Sequence, residues 1–162
     1  RGLGDVYKRQ ILVMIYTGFR ISEFLGLAPA SIREVDGVKV LIGGMKTEAG
    51  KNRTVPIHPR IADIVSAQVK KDGKTLFCRD DGTPMPPKYF REKCYIPALN
   101  SIGVRPLNPH ATRRTFSTMM SASGVREEDM IALMGHADFS VDVDHYIRQS
   151  AKTLSEAINK IG

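Results

Sequence analysis

"SIREVDGVKVLIGG", residues 31–44, decides the fold class, because it interrupts a chain whose other patterns are mostly helical. Its two halves are rich in β-branched residues and flank Asp36-Gly37, a pair that favours a two-residue hairpin turn. "RTVPIH", residues 53–58, has the composition of a third short strand. The sequence therefore predicts a small three-stranded antiparallel sheet. A Gly- and Lys-rich turn, "GGMKTEAGKN", lies between its second and third strands.

Helical patterns occupy most of the remaining chain. Asn108 predicts an N-cap, Pro109 a first helical residue and Gly124 an end, which makes this the most clearly marked helix. Pro97 predicts a kink in another helix. The other predicted helices cover residues 11–18, 20–27, 59–71, 87–102, 126–135, 140–149 and 151–160. The predicted fold class is mainly α with a small three-stranded antiparallel β-sheet (α+β).

Length and composition favour one basic, soluble domain. The chain has 162 residues and a net charge of +7, which favours a polyanionic partner. No apolar run is long enough to span a membrane. Cys78 and Cys94 fit no zinc spacing and are expected to be free thiols in the cytoplasm. Since the four histidines also lack metal-ligand spacing, no metal site and no cofactor is predicted.

The first ten residues, "RGLGDVYKRQ", show neither an amphipathic period nor a cap. The string resembles a common sequencing adapter translated in frame. We therefore expect residues 1–10 to be an artefact without function and residues 11–162 to be the native domain. Without the ten residues the chain would still be basic, because they hold three of the 24 basic residues and one of the 17 acidic residues.

Basic, imidazole and phenol groups stand at turns and helix starts throughout the chain. His110 and Arg113 lie three residues apart and share a helix face. The six candidates for a catalytic site are Arg20, Lys46, His110, Arg113, His136 and Tyr146.

Each candidate also has an ordinary structural interpretation. An arginine at a helix start usually just pairs with a neighbouring carboxylate, which for Arg20 could be Glu23, and a lysine in a turn is commonly just solvated. A histidine near a helix end often serves capping, and a single tyrosine most often packs in a core or at its rim. Taken one at a time, these residues favour no function.

Taken together and in order, they resemble a known family. "TGFRISE", "MKTEAGKNRTVPI", "NPHATRRTFST", "LMGHADFS" and "DHYIR" resemble the motifs of the tyrosine recombinase, or phage integrase, family. The resemblance covers residues 11–160, and the step from His136 to Tyr146 is similar to that of conjugative-transposon integrases. Arg114 stands where relatives often have a second histidine, outside the six catalytic positions.

The resemblance implies site-specific DNA recombination without metal or cofactor. Arg20 and Arg113 would hold the oxygens of a DNA phosphate, with His136 as a further donor. Tyr146 would attack the phosphorus and form a 3′-phosphotyrosyl bond. His110 is the expected base, and Lys46 the expected acid for the leaving oxygen.

Residues with expected supporting roles form a second set. Glu23 is expected to orient Arg20. The residues Lys51, Arg53, Arg91 and Lys93 are expected phosphate contacts, although a solvated face is an equal alternative for each.

The resemblance also bears on the size and assembly of the protein. It implies that an upstream core-binding domain and an earlier helix are absent here, so this chain should bind DNA weakly and in a salt-sensitive way. It implies a homotetramer on DNA, joined through the C-terminal helix, residues 151–160. Whether that helix docks on its own domain or on a neighbour stays open.

Two other functions are compatible with the same residues. A type IB topoisomerase uses similar groups to relax supercoils, and a non-catalytic module could retain the fold for DNA binding alone. The small size and the integrase-like spacing favour recombination over relaxation. The presence of all six candidate residues favours an enzyme.

Overall fold

Three antiparallel strands form the sheet in the computed structural model, which describes residues 2–44, 53–69, 71, 73–135 and 151–162. The strands are β1 (Ile32–Val35), β2 (Val38–Gly43) and β3 (Arg53–Pro56), in the order β1-β2-β3. Asp36 and Gly37 both have positive φ, 51° and 78°, as a two-residue hairpin turn between twisted strands requires. The predicted sheet and its hairpin are confirmed.

Helices precede and follow the sheet in the sequence. Before the sheet come α1 (Leu3–Thr17), α2 (Ile21–Leu25) and a 3₁₀ turn at Pro29–Ser31. After it come α3 (Pro59–Val69), α4 (Pro87–Tyr89), a π-helical segment (Phe90–Tyr95), α5 (Ile96–Ser101), α6 (His110–Ala122), α7 (Glu127–Met134) and α8 (Ala151–Asn159). The mainly α fold class is therefore confirmed, while the helix predicted for residues 140–149 lies outside the described residues.

Helix α1 begins at Leu3, eight residues before the start that the sequence predicts. A helix extends readily from a stable nucleus, and the apolar segment after residue 10 supplies one. The added turns pack against the domain: Gln10 is buried, and burial together with the Cys94 thiol raises the pKa of Tyr7 to about 12. The sequence predicts no helix for residues 3–10, and the structure corrects this prediction. Their origin as an adapter stays a prediction.

Pro97 does not interrupt its helix, because a widened turn precedes it. The N–H of Ile96 donates to the carbonyl of Arg91, five residues back, which defines the π-helical turn. A proline lacks an N–H and crowds the preceding turn, so a wider turn accommodates it within a continuing helix. The π-helical turn also places Phe90, Cys94 and Tyr95 in the core.

The core lies between α1, the sheet and the helices of the C-terminal half. Helix α1 packs against α3, α5 and α6. Phe24 of α2 stacks on Phe77 with ring centroids 4.3 Å apart and also contacts Phe90 at 5.7 Å. These buried rings fix α2 against the loop and the helix that follow α3, and so fix the residues at the start of α2.

Helix α8 packs against β2 and β3 of its own domain. Its buried face carries Leu154, Ala157 and Ile158, followed by Ile161, as the amphipathic pattern predicts. Two polar groups hold the segment after the helix: Tyr16 Oη donates to the carbonyl of Gly162 at 2.9 Å, and His58 Nε2 lies 2.8 Å from that of Ile161. In this single chain the C-terminal helix therefore docks on its own domain.

Among the helices that the structure describes, none combines the length and the apolar character needed to cross a membrane.

His58 supplies the first testable prediction, because both of its ring nitrogens are used in a buried position. Nδ1 accepts from the N–H of Arg60 at 3.1 Å, so Nε2 carries the proton that is donated to Ile161. Replacing His58→Phe leaves the buried carbonyl of Ile161 and the N–H of Arg60 without partners. We expect a loss of about 1–3 kcal/mol in the free energy of unfolding, measured by urea denaturation.

The same replacement at an exposed position is the matched control. His110 is exposed, so His110→Phe should change the free energy of unfolding by less than about 0.5 kcal/mol. An equal effect of the two replacements would contradict the role assigned to His58.

Candidate functional site

Arg20 stands at the N-terminal cap position of α2, directly after the loop that follows α1. Its backbone is extended, with φ −68° and ψ 156°, and its carbonyl accepts the N–H of Phe24 at 2.8 Å. Its Nη1 donates to Glu23 Oε1 at 2.9 Å, the contact that the spacing of three residues predicts. The Arg20 side chain is 25% exposed and that of Glu23 1% exposed. Glu23 therefore holds Arg20 from the protein side, while Arg20 reaches the surface.

Arg113 projects from α6 into the interior and is only 2% exposed. Its Nη1 donates to the carbonyl of Gly18 at 2.7 Å, and its Nη2 donates to the carbonyl of Met134. These acceptors stand at the C-terminal ends of α1 and α7, where free carbonyls carry partial negative charge and attract cations. One guanidinium thus joins three helices at a single point.

Gly18 makes this approach possible because it has no side chain. Its φ is 69°, which favours glycine, and a Cβ would lie 2.3 Å from Phe116 Cδ1. Phe116 lies on α6, one turn after Arg113. The glycine therefore lets α6 come close enough to α1 for Arg113 to reach the Gly18 carbonyl.

Arg53 opens β3 and is also buried, with its side chain 2% exposed. Its Nη2 forms an ion pair with Glu23 Oε2 at 2.8 Å and approaches the Gly18 carbonyl at 3.5 Å. Its guanidinium carbon lies 4.7 Å from the centre of the Phe19 ring, a cation–π contact. The sequence suggests a phosphate contact for Arg53, but its surroundings here are a carboxylate, a carbonyl and a ring rather than solvent.

His110 begins α6 on its exposed side. Its backbone N–H donates to Asn108 Oδ1 at 3.0 Å, as expected for a capping asparagine. The helix itself begins at His110, with Pro109 at the cap position, one residue later than predicted. Partial burial of the ring, first, and then the charges of Arg113, Arg114 and Arg20 lower the pKa of His110 below its ordinary value of 6.5. Substitution of a neighbouring arginine can remove the electrostatic contribution to this lowered pKa and leave the burial of the ring unchanged. At neutral pH the imidazole is therefore uncharged and able to accept a proton.

Positive charge exceeds negative charge in this cluster. Burial, with repulsion from Arg53 and Arg20, lowers the pKa of Arg113 to about 10, which still leaves it cationic at neutral pH. Burial raises the pKa of the Glu23 carboxyl, but Arg53 and Arg20 outweigh that effect and hold it below its ordinary value. Three arginines around one described carboxylate form a site suited to an anion.

The structure brings together only part of the predicted set. Arg20, Glu23, His110 and Arg113 interact with one another, and Arg53 joins them from behind. Arg91 and Lys93 are exposed on the π-helical turn and form no ion pair within the described ranges. The predicted residues Lys46, Lys51, His136 and Tyr146 lie outside the described residues.

The neutral state of His110 gives a testable prediction on pH. Arg114 lies four residues further along α6 and is exposed, so Arg114→Gln removes one repelling charge without disturbing the core. We expect the pKa of His110 to rise towards its ordinary value in this variant. The measurement is an NMR titration of the imidazole C–H signals, with the His110 signal identified by its loss in His110→Gln.

Arg33→Gln is the matched control, because Arg33 is exposed on β1 and is not one of the arginines that lower the pKa of His110. It should leave that pKa unchanged. A wild-type His110 that titrates at or above 6.5 would contradict the electrostatic argument.

Glu23 gives a second prediction, on stability. Its lowered pKa means that the ionised carboxylate stabilises the fold, fully above the ordinary value of 4.5 and decreasingly as pH falls through the folded-state pKa. Glu23→Gln leaves the buried Arg53 unpaired, so we expect a loss of about 3–5 kcal/mol at pH 7. The difference between wild type and variant should shrink below pH 4.5.

Urea denaturation at a series of pH values measures this difference. The exposed residue Glu92 supplies the control, since Glu92→Gln should cause little change at any pH. A difference for Glu23→Gln that stays constant from neutral to acid pH would show that the charge of Glu23 does not stabilise the fold.

Comparison with known proteins gives relatives of similar sequence. Residues 5–153 match the model of the phage integrase family. Tyrosine recombinase XerD of Ralstonia nicotianae is 29% identical over 167 residues, which cover 94% of this chain and 52% of that protein. Tyrosine recombinase XerC of Pelobacter propionicus is 27% identical over 165 residues, covering 98% and 52%. The chain therefore spans about half the length of these curated relatives.

Solved structures share the fold. The integrase from mycobacterium phage Brujita superposes with a TM-score of 0.75 at 19% identity, covering 97% of this chain and 52% of that one. The Tn1549 transposon integrase in complex with circular intermediate DNA gives 0.67 at 21% identity, covering 92% and 56%. Since the family model matches most of the residues, including those of the arginine cluster, this chain belongs to the phage integrase family.

Proposed function

We propose that this chain is the catalytic domain of a site-specific DNA recombinase of the tyrosine type. The observation that carries the proposal is the cluster formed by Arg20, Arg113 and His110, in which two cations and an uncharged base come together from α2 and α6. The family assignment supports it, because curated relatives are named tyrosine recombinases. The substrate that we propose is double-stranded DNA.

The arginines have the chemistry that a scissile phosphate requires. Negative charge gathers on the non-bridging oxygens as the phosphorus is attacked, and a planar guanidinium can donate to two oxygens at once. Arg20 reaches the surface, and the two hydrogen bonds of Arg113 to carbonyls use only two of its five N–H groups. Arg20 can therefore donate to a phosphate from the surface while Glu23 holds it. Arg113 is buried, and in this proposal its remaining N–H groups are exposed to the phosphate when DNA binds.

Tyr146 is the nucleophile in this proposal, and His110 the base that accepts its proton. A phenol is weakly nucleophilic at neutral pH, and a neutral imidazole beside two arginines favours formation of the phenolate. The tyrosine oxygen forms a bond to phosphorus and the bond from phosphorus to the 5′ oxygen breaks. Lys46 gives the leaving oxygen its proton, and His136 donates to the phosphate.

The reaction then runs backwards with a different strand. A 5′-hydroxyl attacks the 3′-phosphotyrosyl bond, releases the tyrosine and restores a phosphodiester. Each step exchanges one phosphate ester for another, so the bond energy is kept and no ATP is needed. This fits a site in which the described groups are donors, cations and a base.

The assembly that we propose is a homotetramer on DNA, in the cytoplasm of a bacterial or mobile-element host. The apolar face of α8 supports a role in contacts between protomers, because the surface that accepts it on β2 and β3 is present in every copy. In that assembly the apolar face of α8 would dock either on its own domain or on the same surface of a neighbouring protomer.

A covalent trapping experiment tests the activity. The 162-residue chain is incubated with a pool of nicked DNA duplexes of randomised sequence, in which the short cleaved fragment diffuses away and the enzyme remains attached. We expect a covalent protein–DNA adduct with the wild type and none with Tyr146→Phe, because the phenol oxygen forms the bond. Denaturing gels detect the adduct, and sequencing identifies the preferred duplex.

Tyr89→Phe is the matched control and should form the adduct, since Tyr89 stacks on Arg79 outside the arginine cluster. An adduct with Tyr146→Phe, or none with the wild type, would contradict the proposal. Exchange of strands between two copies of the selected duplex then separates recombination from simple relaxation.

A further inference from the structure

The contacts of Arg53 are with protein groups of the arginine cluster, and they suggest a role other than binding DNA. We infer that Arg53 is a positioning residue, which fixes Arg20 and Arg113 for the phosphate and does not itself touch DNA; this rests on the proposed function. The side chain of Arg53 is 2% exposed, against 25% for Arg20, so Arg53 lies behind the surface that Arg20 reaches. Arg113 is also buried, but its acceptors are uncharged carbonyls, whereas Arg53 is paired with the Glu23 carboxylate, which offsets its charge.

The carboxylate of Glu23 links the two arginines. Its Oε1 accepts from Arg20 Nη1 at 2.9 Å, and its Oε2 pairs with Arg53 Nη2 at 2.8 Å. Because each oxygen of this carboxylate contacts a different arginine, the direction of the Arg20 guanidinium depends on Arg53 as well as on Glu23. Without Arg53, Glu23 would be free to turn and to take both of its oxygens to Arg20.

A second contact reaches towards Arg113. The carbonyl of Gly18 accepts from Arg113 at 2.7 Å and lies 3.5 Å from Arg53 Nη2. The next residue in the chain, Phe19, places its ring 4.7 Å from the Arg53 guanidinium. Arg53 therefore packs against the short segment between α1 and α2 on which both phosphate-binding arginines depend.

Stability alone does not account for a charge at this position. Buried ion pairs contribute little to stability compared with apolar residues of the same size. Moreover, Nε and Nη1 of Arg53 have no hydrogen-bond partner among the residues that the structure describes. The positive charge of Arg53 can hold the Glu23 carboxylate in place beside Arg20, and an apolar residue cannot.

The experiment uses the duplex selected by covalent trapping. We compare Arg53→Met and Arg53→Lys with wild type in single-turnover cleavage, at a temperature where all variants are folded. We expect Arg53→Met to lower the rate roughly 10- to 100-fold and Arg53→Lys to lower it less, since lysine keeps a charge for Glu23. The affinity for the duplex and its salt dependence should stay unchanged, because Arg53 contacts no phosphate.

Two controls separate positioning from a general loss of structure. Ile64→Ala removes a buried side chain of α3 and should reduce stability without slowing cleavage of bound DNA. In an Arg20→Lys background the further effect of Arg53→Met should fall to less than about threefold, because residues that act as a unit are not additive.

A chemically altered duplex gives a third readout. A methylphosphonate at the scissile position replaces one charged oxygen with a methyl group and so weakens the need for oriented arginines. The effect of Arg53→Met should become smaller on this duplex if Arg53 acts through the phosphate-binding groups. A merely structural defect would slow both duplexes equally.

The outcomes are distinguishable from failure of the proposed function. Absence of a wild-type adduct would overturn the proposed function and this inference with it. A wild-type adduct whose rate does not change in Arg53→Met would overturn the inference alone. So would a reduced salt dependence of binding in Arg53→Met, which would mean direct contact with a phosphate.

Discussion

The hydrogen bonds from Arg113 to the carbonyls of Gly18 and Met134 are the interaction on which the site depends. A buried guanidinium requires acceptors, and the ends of two helices supply them without adding a negative charge. The cation is therefore held in place but not neutralised. A carboxylate in the same position would also have held it, but would have cancelled the charge that an anionic substrate needs.

This constraint explains several features that are otherwise unrelated in sequence. Helices α1 and α7 both end in a glycine with positive φ, 69° at Gly18 and 60° at Gly135, so that their last carbonyls turn towards Arg113. Phe116 fills the space beside Gly18 and sets the approach of α6. A change that alters either helix end would shift a cation of the site as well as the packing around it.

Much of the fold could be predicted from local patterns, because short-range chemistry determines it. Asp36-Gly37 fixed the hairpin turn, Asn108 and Pro109 the start of α6, and Gly135 the end of α7. The start of α1 and the π-helical turn before Pro97 could not be predicted in the same way. Both depend on packing between distant parts of the chain, which local patterns do not record.

The candidate site was predicted in part for a similar reason. Arg20 and Glu23 are three residues apart, so their contact follows from helical spacing alone. The burial of Arg53 was missed, although a signal existed: Arg53 and Val55 alternate on β3 and face the same buried side. A strand carrying an arginine on its apolar side indicates a buried partner, and that partner, Glu23, lies thirty residues earlier in the chain.

The distribution of charge around Glu23 favours the binding of an anion beside Arg20. Burial lowers the pKa values of Arg53 and Arg113, and repulsion from neighbouring arginines lowers them further. The one described carboxylate of the cluster faces Arg20 and Arg53 from inside, so it offsets repulsion without covering the outer face of Arg20. An anion that arrives at that face removes the remaining repulsion and stabilises the folded state by binding to it. Two fully buried rings lie against this polar cluster: Phe19 contacts the Arg53 guanidinium, and Phe116 packs beside Gly18, whose carbonyl accepts from Arg113. Their packing holds the arginines together against this repulsion.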